Sequence, residues 1–81
     1  MTLSDGKEGE NYVITGLSGG LSEKRLSDMG VFIGAFVRII KKGGFLNPIE
    51  IKSGGTFLAL RKKDAEKITV EKAEKWKKYV K

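Results

Sequence analysis

With no His and no Cys, this 81-residue chain lacks imidazole bases, thiolate nucleophiles and the usual zinc and copper ligands. Whatever chemistry it does must come from its ten acidic residues, its sixteen Lys and Arg, and its apolar side chains. A divalent transition-metal cation needs imidazole, thiolate or clustered carboxylates. Asp5, Glu8, Glu10, Glu23, Asp28, Glu50, Asp64 and Glu66 are instead spread over different predicted elements. Glu8 and Glu10 come closest, and a pair of solvated carboxylates is the expectation there. No carboxylate pair is placed for acid and base work. The Ser18-Gly19-Gly20 stretch is turn material and not a phosphate-cradling loop. No enzyme, metal site or cofactor is expected.

What remains is recognition. The loop KKGGFLNP carries Phe45 and Leu46 where water is expected, beside Lys41 and Lys42, which is the pattern of an apolar anchor with a charged rim. Phe32 and Ile33 form a second apolar pair inside a predicted turn. These six residues are the candidate partner-binding set. Phe45-Leu46 is the expected main anchor, because Gly43-Gly44 lets that loop protrude, whereas Phe32-Ile33 is expected to lie flat against the preceding helix. Charge alone points elsewhere: the net +6 suits nucleic acid, an acidic protein or an anionic membrane. It splits unevenly, however. The last eleven residues, EKAEKWKKYVK, hold five Lys against two Glu, and the rest of the chain carries a mild excess. An RNA- or DNA-binding reading through Phe36, Arg38, Lys41, Lys42 and Phe45 is the alternative function. Its aromatics are too few to alternate with Lys and Arg as a stacking platform, so no nucleic acid is expected as a partner.

The elements that must position these residues are legible in outline. Eleven Gly, a single Pro and short apolar runs describe strands joined by tight turns in one small domain. In IEIKSGGTFLAL, Gly54-Gly55 supplies the positive backbone angles of a two-residue hairpin. Pairing Ser53 with Thr56 sets Ile51 opposite Leu58 and Ile49 opposite Leu60 on one face; Glu50 with Ala59 and Lys52 with Phe57 lie on the other. NYVITGL and AFVRIIKK are two more strands, with Val13, Val37 and Ile39 expected to face inward and Phe36 and Arg38 outward. Between them runs a short helix with Ser22 as N-cap, Leu21 stapled to Leu26, and Gly30 as a left-handed C-terminal cap that returns Val31 onto Leu26. Ile33-Gly34 suits the centre of a type II turn. Gly30, Gly34, Gly54 and Gly55 are thus the structural turn residues. RKKDAEKI holds about one helical turn and Val70 a last strand.

Arg25, Leu26, Met29 and Gly30, then Gly34 and Val37, Pro48-Ile49, and the run Leu58, Ala59, Leu60, Arg61, Ala65, Ile68 and Val70 resemble the FeoA family in order and spacing, from about Leu3 to Val70. The resemblance implies a mainly β fold: a small SH3-like barrel of about five strands, one short helix between the first two, a helical turn after the hairpin, and a C-terminal helical extension. It implies a cytoplasmic accessory of bacterial ferrous iron uptake that binds the cytosolic region of the transporter FeoB and modulates it without carrying iron. The family's association with transition metal ions finds no clustered ligands here. An SH3-like shape does not imply recognition of Pro-rich peptides. Two departures from the family pattern stand out. Phe32-Ile33 replaces the usual Thr-Pro before the turn glycine, and Gly6 and Glu8 replace a second apolar residue and a Pro, which loosens the N-terminal lead.

The domain boundaries expected are a barrel over 1–70 and a basic amphipathic extension over 71–81. In the extension Ala73, Trp76 and Val80, with Tyr79 at the edge, form one helical stripe. A helix of about eleven residues does not hold alone in water, so the stripe needs a surface. The expected one is the barrel's own face at Phe57 and Ala59; a membrane or partner surface is the alternative. The polar, acidic start MTLSDGKEGE is unlike a signal peptide, and no apolar run approaches the roughly 20 residues of a membrane span. A cytoplasmic monomer is expected.

Overall fold

The computed structural model describes residues 1–44 and 47–73. Phe45 and Leu46, together with Trp76, Tyr79 and Val80 of the C-terminal stripe, lie outside the described residues. The alternation of apolar and polar residues resolves into β1 (Asn11–Leu17), β2 (Phe36–Lys42), β3 (Ile49–Ser53), β4 (Thr56–Leu60) and β5 (Ile68–Lys72), with helices α1 (Glu23–Asp28) and α2 (Lys62–Ala65) and a 3-10 turn at Leu3–Asp5. All five strands join one antiparallel sheet in the order β4-β3-β2-β1-β5. β5 continues through Glu71 and Lys72, so these two residues belong to the sheet although the sequence placed them in the extension.

The hairpin register matches the sequence reading pair for pair, from Ser53 opposite Thr56 to Ile49 opposite Leu60. One detail differs. Only Gly54 has a positive φ, +61°; Gly55 does not. Positive φ at the first central position alone is the type II′ turn.

In strand β1 Val13 is buried as expected, but the main cluster is built from its neighbours. Tyr12 and Ile14, not Val13, belong to the core cluster with Val37, Ile39 and Ile51; Val13 is buried on the opposite face. A tyrosine can face the core because its hydroxyl is satisfied. It accepts from the Lys7 amide at 2.8 Å and donates to Glu10 Oε2 at 3.0 Å. Burial pushes the Tyr12 phenol above its ordinary range.

Bulges in two strands decide what their far ends present. The register slips between Ile14 and Gly16 in β1 and between Ile39 and Lys41 in β2. An extra residue bends the strand and resets the in-out alternation. Past the β2 bulge, Lys42 pairs with the core residue Ile49 and turns inward, while Ile40 is left exposed. The Lys42 ammonium donates to the carbonyls of Ser4 (2.8 Å) and Gly6 (2.9 Å), and its amide donates to Glu8 Oε1 at 2.7 Å. The N-terminal lead is therefore held, not loose. Leu3 is fully buried, and a Cβ on Gly6 would fall on the Ile39 side chain and within 2.9 Å of the Tyr12 ring. Gly6 is there for closeness of approach.

Candidate docking surface

The turn between α1 and β2 is built by hydrogen bonds that its sequence specifies. The Ser22 hydroxyl accepts from the Arg25 amide at 3.4 Å. At the other end the Val31 amide bonds to the Leu26 carbonyl at 2.8 Å and the Gly30 amide to Ser27 at 2.9 Å, with Gly30 at φ +88°. This is the Schellman cap, and Val31 and Leu26 meet in the core as it requires. The Ala35 amide then reaches back to the Phe32 carbonyl at 3.0 Å around Gly34 at φ +96°, a type II turn. Ile14 pins this turn to β1 from both sides: its carbonyl accepts from Gly34 at 2.7 Å and its amide donates to Ala35 at 2.9 Å.

Phe32 and Ile33 ride on that fixed backbone with 47% and 61% of their surface exposed. The expectation that they lie flat against the helix is overturned. The cap and the turn direct the backbone at Gly30 and Gly34 toward the core, Val31 and Ala35 take the buried places, and the two residues between are left at the tip. Phe36, at the start of β2, is also exposed.

The other proposed site residues separate. Lys41 is exposed, whereas Lys42 is occupied with the N-terminal lead and is no free rim charge. Of the set that would contact nucleic acid, Phe36, Arg38 and Lys41 are exposed and Lys42 is not available. Phe57 and Ala59 are exposed, and the Lys52 ammonium stands 5.4 Å from the Phe57 ring centre. Among the described residues no three His, Cys, Asp or Glu side chains come together.

One feature was not read from the sequence. α1 and α2 flank an open groove of about 360 Å³ whose apolar wall includes Leu21, Leu26, Met29, Leu60 and Ile68, with Arg25 and Asp64 on its lining. Leu21 and Leu26 were expected to staple the helix start; that the same pair faces Leu60 and Ile68 across a groove depends on how α2 returns after β4.

The family model of the FeoA domain matches residues 1–72. The chain belongs to the FeoA family. Among solved structures it is similar to iron(II) transport protein A from Clostridium thermocellum, at 36% identity and a TM-score of 0.79, covering 91% of this chain and 46% of that one. It is similar to the FeoA protein of Chlorobium tepidum at 32% identity and a TM-score of 0.78, over 89% of this chain and 70% of the other. Stenotrophomonas maltophilia FeoA, solved with zinc and described as a prokaryotic SH3 domain protein and a candidate activating factor of bacterial ferrous iron transport, aligns at 28% identity and a TM-score of 0.74, over 88% of this chain and 89% of that one. No curated protein matches the chain. The FeoA-family fold is thus SH3-like here too: mainly β, with five antiparallel strands and two short helices among the described residues.

Proposed function

We propose that this FeoA-family protein is a non-catalytic cytoplasmic accessory of ferrous iron uptake that binds the cytosolic region of FeoB and modulates transport. The observation that carries the reading is the Phe32-Ile33 tip. Two large apolar side chains are held in water by a turn fixed at Gly30, Gly34 and Ile14. An anchor fixed in advance loses little conformational freedom on binding. Lys41 is an exposed charge on the same strand, β2, that follows the turn. Support for the iron role comes from family membership and from the transport descriptions of the relatives.

The test is direct binding to the purified cytosolic region of FeoB. A buried interface anchor contributes about 2 kcal/mol or more, so Phe32→Asp and Ile33→Asp should each weaken binding by roughly 30-fold or more. Both side chains are exposed, so folding stability should change by no more than about 0.5 kcal/mol, checked by urea denaturation. Phe45→Asp and Leu46→Asp in the same assay test the anchor expected from sequence. Wild-type binding by both tip variants would overturn the assignment of the tip.

A further inference from the structure

The strand order leaves β4 and β5 at the two edges of the sheet. The β5 edge is met by the N-terminus: Thr2 bridges Thr69, and the Val70 amide donates to the Met1 carbonyl at 2.9 Å. Among the described residues β4 pairs with β3 alone. Its register says which backbone groups that leaves over. Ser53 and Thr56 flank a two-residue turn and so form a hydrogen-bonded pair; such pairs alternate along an antiparallel ladder. Leu58 and Leu60 therefore bond inward to β3, and the amides and carbonyls of Phe57 and Ala59 face away from the sheet.

Sheet edges are ordinarily guarded by a charge, a proline or a bulge. The β4 sequence TFLAL has no charge and no proline, and its register with β3 is unbroken. Thr56, Phe57 and Ala59 are exposed, Phe57 to 67%, the highest of the exposed large apolar side chains among the described residues.

We propose that β4 pairs antiparallel with β4 of a second copy of this chain, about a two-fold axis through Leu58. The occupant follows from self-complementarity. In this register the outward-facing Phe57 of each copy opposes the outward-facing Ala59 of the other, so the free groups satisfy one another with about four hydrogen bonds. Phe57-Leu58-Ala59 sets a large side chain against a small one on both sides of the axis, and half-buried Leu58 meets its counterpart on the core side. Lys52 already stands over the Phe57 ring. A strand pair of this length buries less than a standard interface, so the dimer is weak. Each copy carries a net charge of +6, so the copies repel and salt tightens the dimer, opposite to a complex held by charge.

Sedimentation equilibrium on the full chain, from micromolar to millimolar at low and at physiological salt, should show mass rising toward the dimer, more so at higher salt. Amide hydrogen exchange should show Phe57 and Ala59 protected only at high concentration, and Leu58 protected throughout. Ala59→Pro removes an amide that faces away from β3, and Phe57→Lys places a charge on the edge; each should raise the dissociation constant about tenfold or more. Should Ala59→Pro fail to fold, Phe57→Lys at its exposed position decides alone. A monomer at millimolar concentration in both salts would overturn the proposal. So would dimerisation undiminished in the folded variants, or protection of Phe57 and Ala59 in dilute protein. None of these outcomes depends on binding to FeoB.

Discussion

The Ser53 hydroxyl, at the end of β3, donates a hydrogen bond to the Gly30 carbonyl beyond the end of α1. Ser53 is buried, and the bond ties the helix cap to the last residue before the hairpin turn. Position 30 is thus fixed twice, by its own φ of +88° and by a partner that lies 23 residues along the chain.

Substitutions here should separate the two effects. Gly30→Val forces a β-branched residue into left-handed backbone and should cost about 1–2 kcal/mol or more. Ser53→Ala leaves a carbonyl without its partner and should cost about 1 kcal/mol. Ser22→Ala, whose bond to Arg25 is 3.4 Å and exposed, should cost about 0.5 kcal/mol, the lower end for an N-cap. Urea denaturation ranks the three; a Gly30→Val protein as stable as wild type would contradict the cap.

Gly6 should not accept a side chain although its backbone angles are ordinary. A methyl group there meets Ile39 and Tyr12 in the core, and overpacking costs about 1–3 kcal/mol. Gly19, with nothing within 4 Å of an added Cβ and no positive φ, is the control: Gly19→Ala should leave stability within about 0.5 kcal/mol of wild type or raise it slightly. Thermal unfolding of the two alanine variants makes the comparison.

Lys41 and Lys42 are adjacent in sequence and opposite in role. Lys42→Met removes a charged donor from the Ser4 and Gly6 carbonyls and should destabilise by about 1–3 kcal/mol. Lys41→Met should change stability by no more than about 0.5 kcal/mol. Equal denaturation midpoints for the two variants would show that the bulge at Ile40 does not direct Lys42 inward.

Alkaline pH should act through Tyr12. Burial raises its folded-state pKa above the unfolded value of about 10. The folded state therefore binds the phenolic proton more tightly than the unfolded one. The resulting stability is fully present below about pH 10 and is lost as pH rises from there through the folded value. Tyr12→Phe should be less stable at neutral pH, having lost the bonds to Lys7 and Glu10, and should show a shallower alkaline decline. Denaturation midpoints followed from neutral to alkaline pH, wild type against variant, check both slopes.

Local chemistry wrote much of this molecule into its sequence. The hairpin register, the Ser22 cap, the Schellman cap at Gly30 and the type II turn at Gly34 follow from residues within a few positions of one another, because each rests on a backbone angle or a bond that a short segment makes alone. The FeoA resemblance was legible for the same reason, being carried by those turn glycines and by the periodic apolar positions. The tertiary structure decided what depends on distant partners. Val13 and Tyr12 are both buried, and the meeting of the Tyr12 hydroxyl with Lys7 and Glu10 lets the bulkier, polar one join the main cluster. The bulge at Ile40 has no local signature, since it follows from how β2 accommodates β3, yet it turns Lys42 from a rim charge into the clasp of the N-terminal lead. Phe32 and Ile33 stay in water because Val31 and Ala35 fill the core places on either side. A short segment can specify a turn, but which of its side chains is buried is settled by the volume the rest of the chain leaves open.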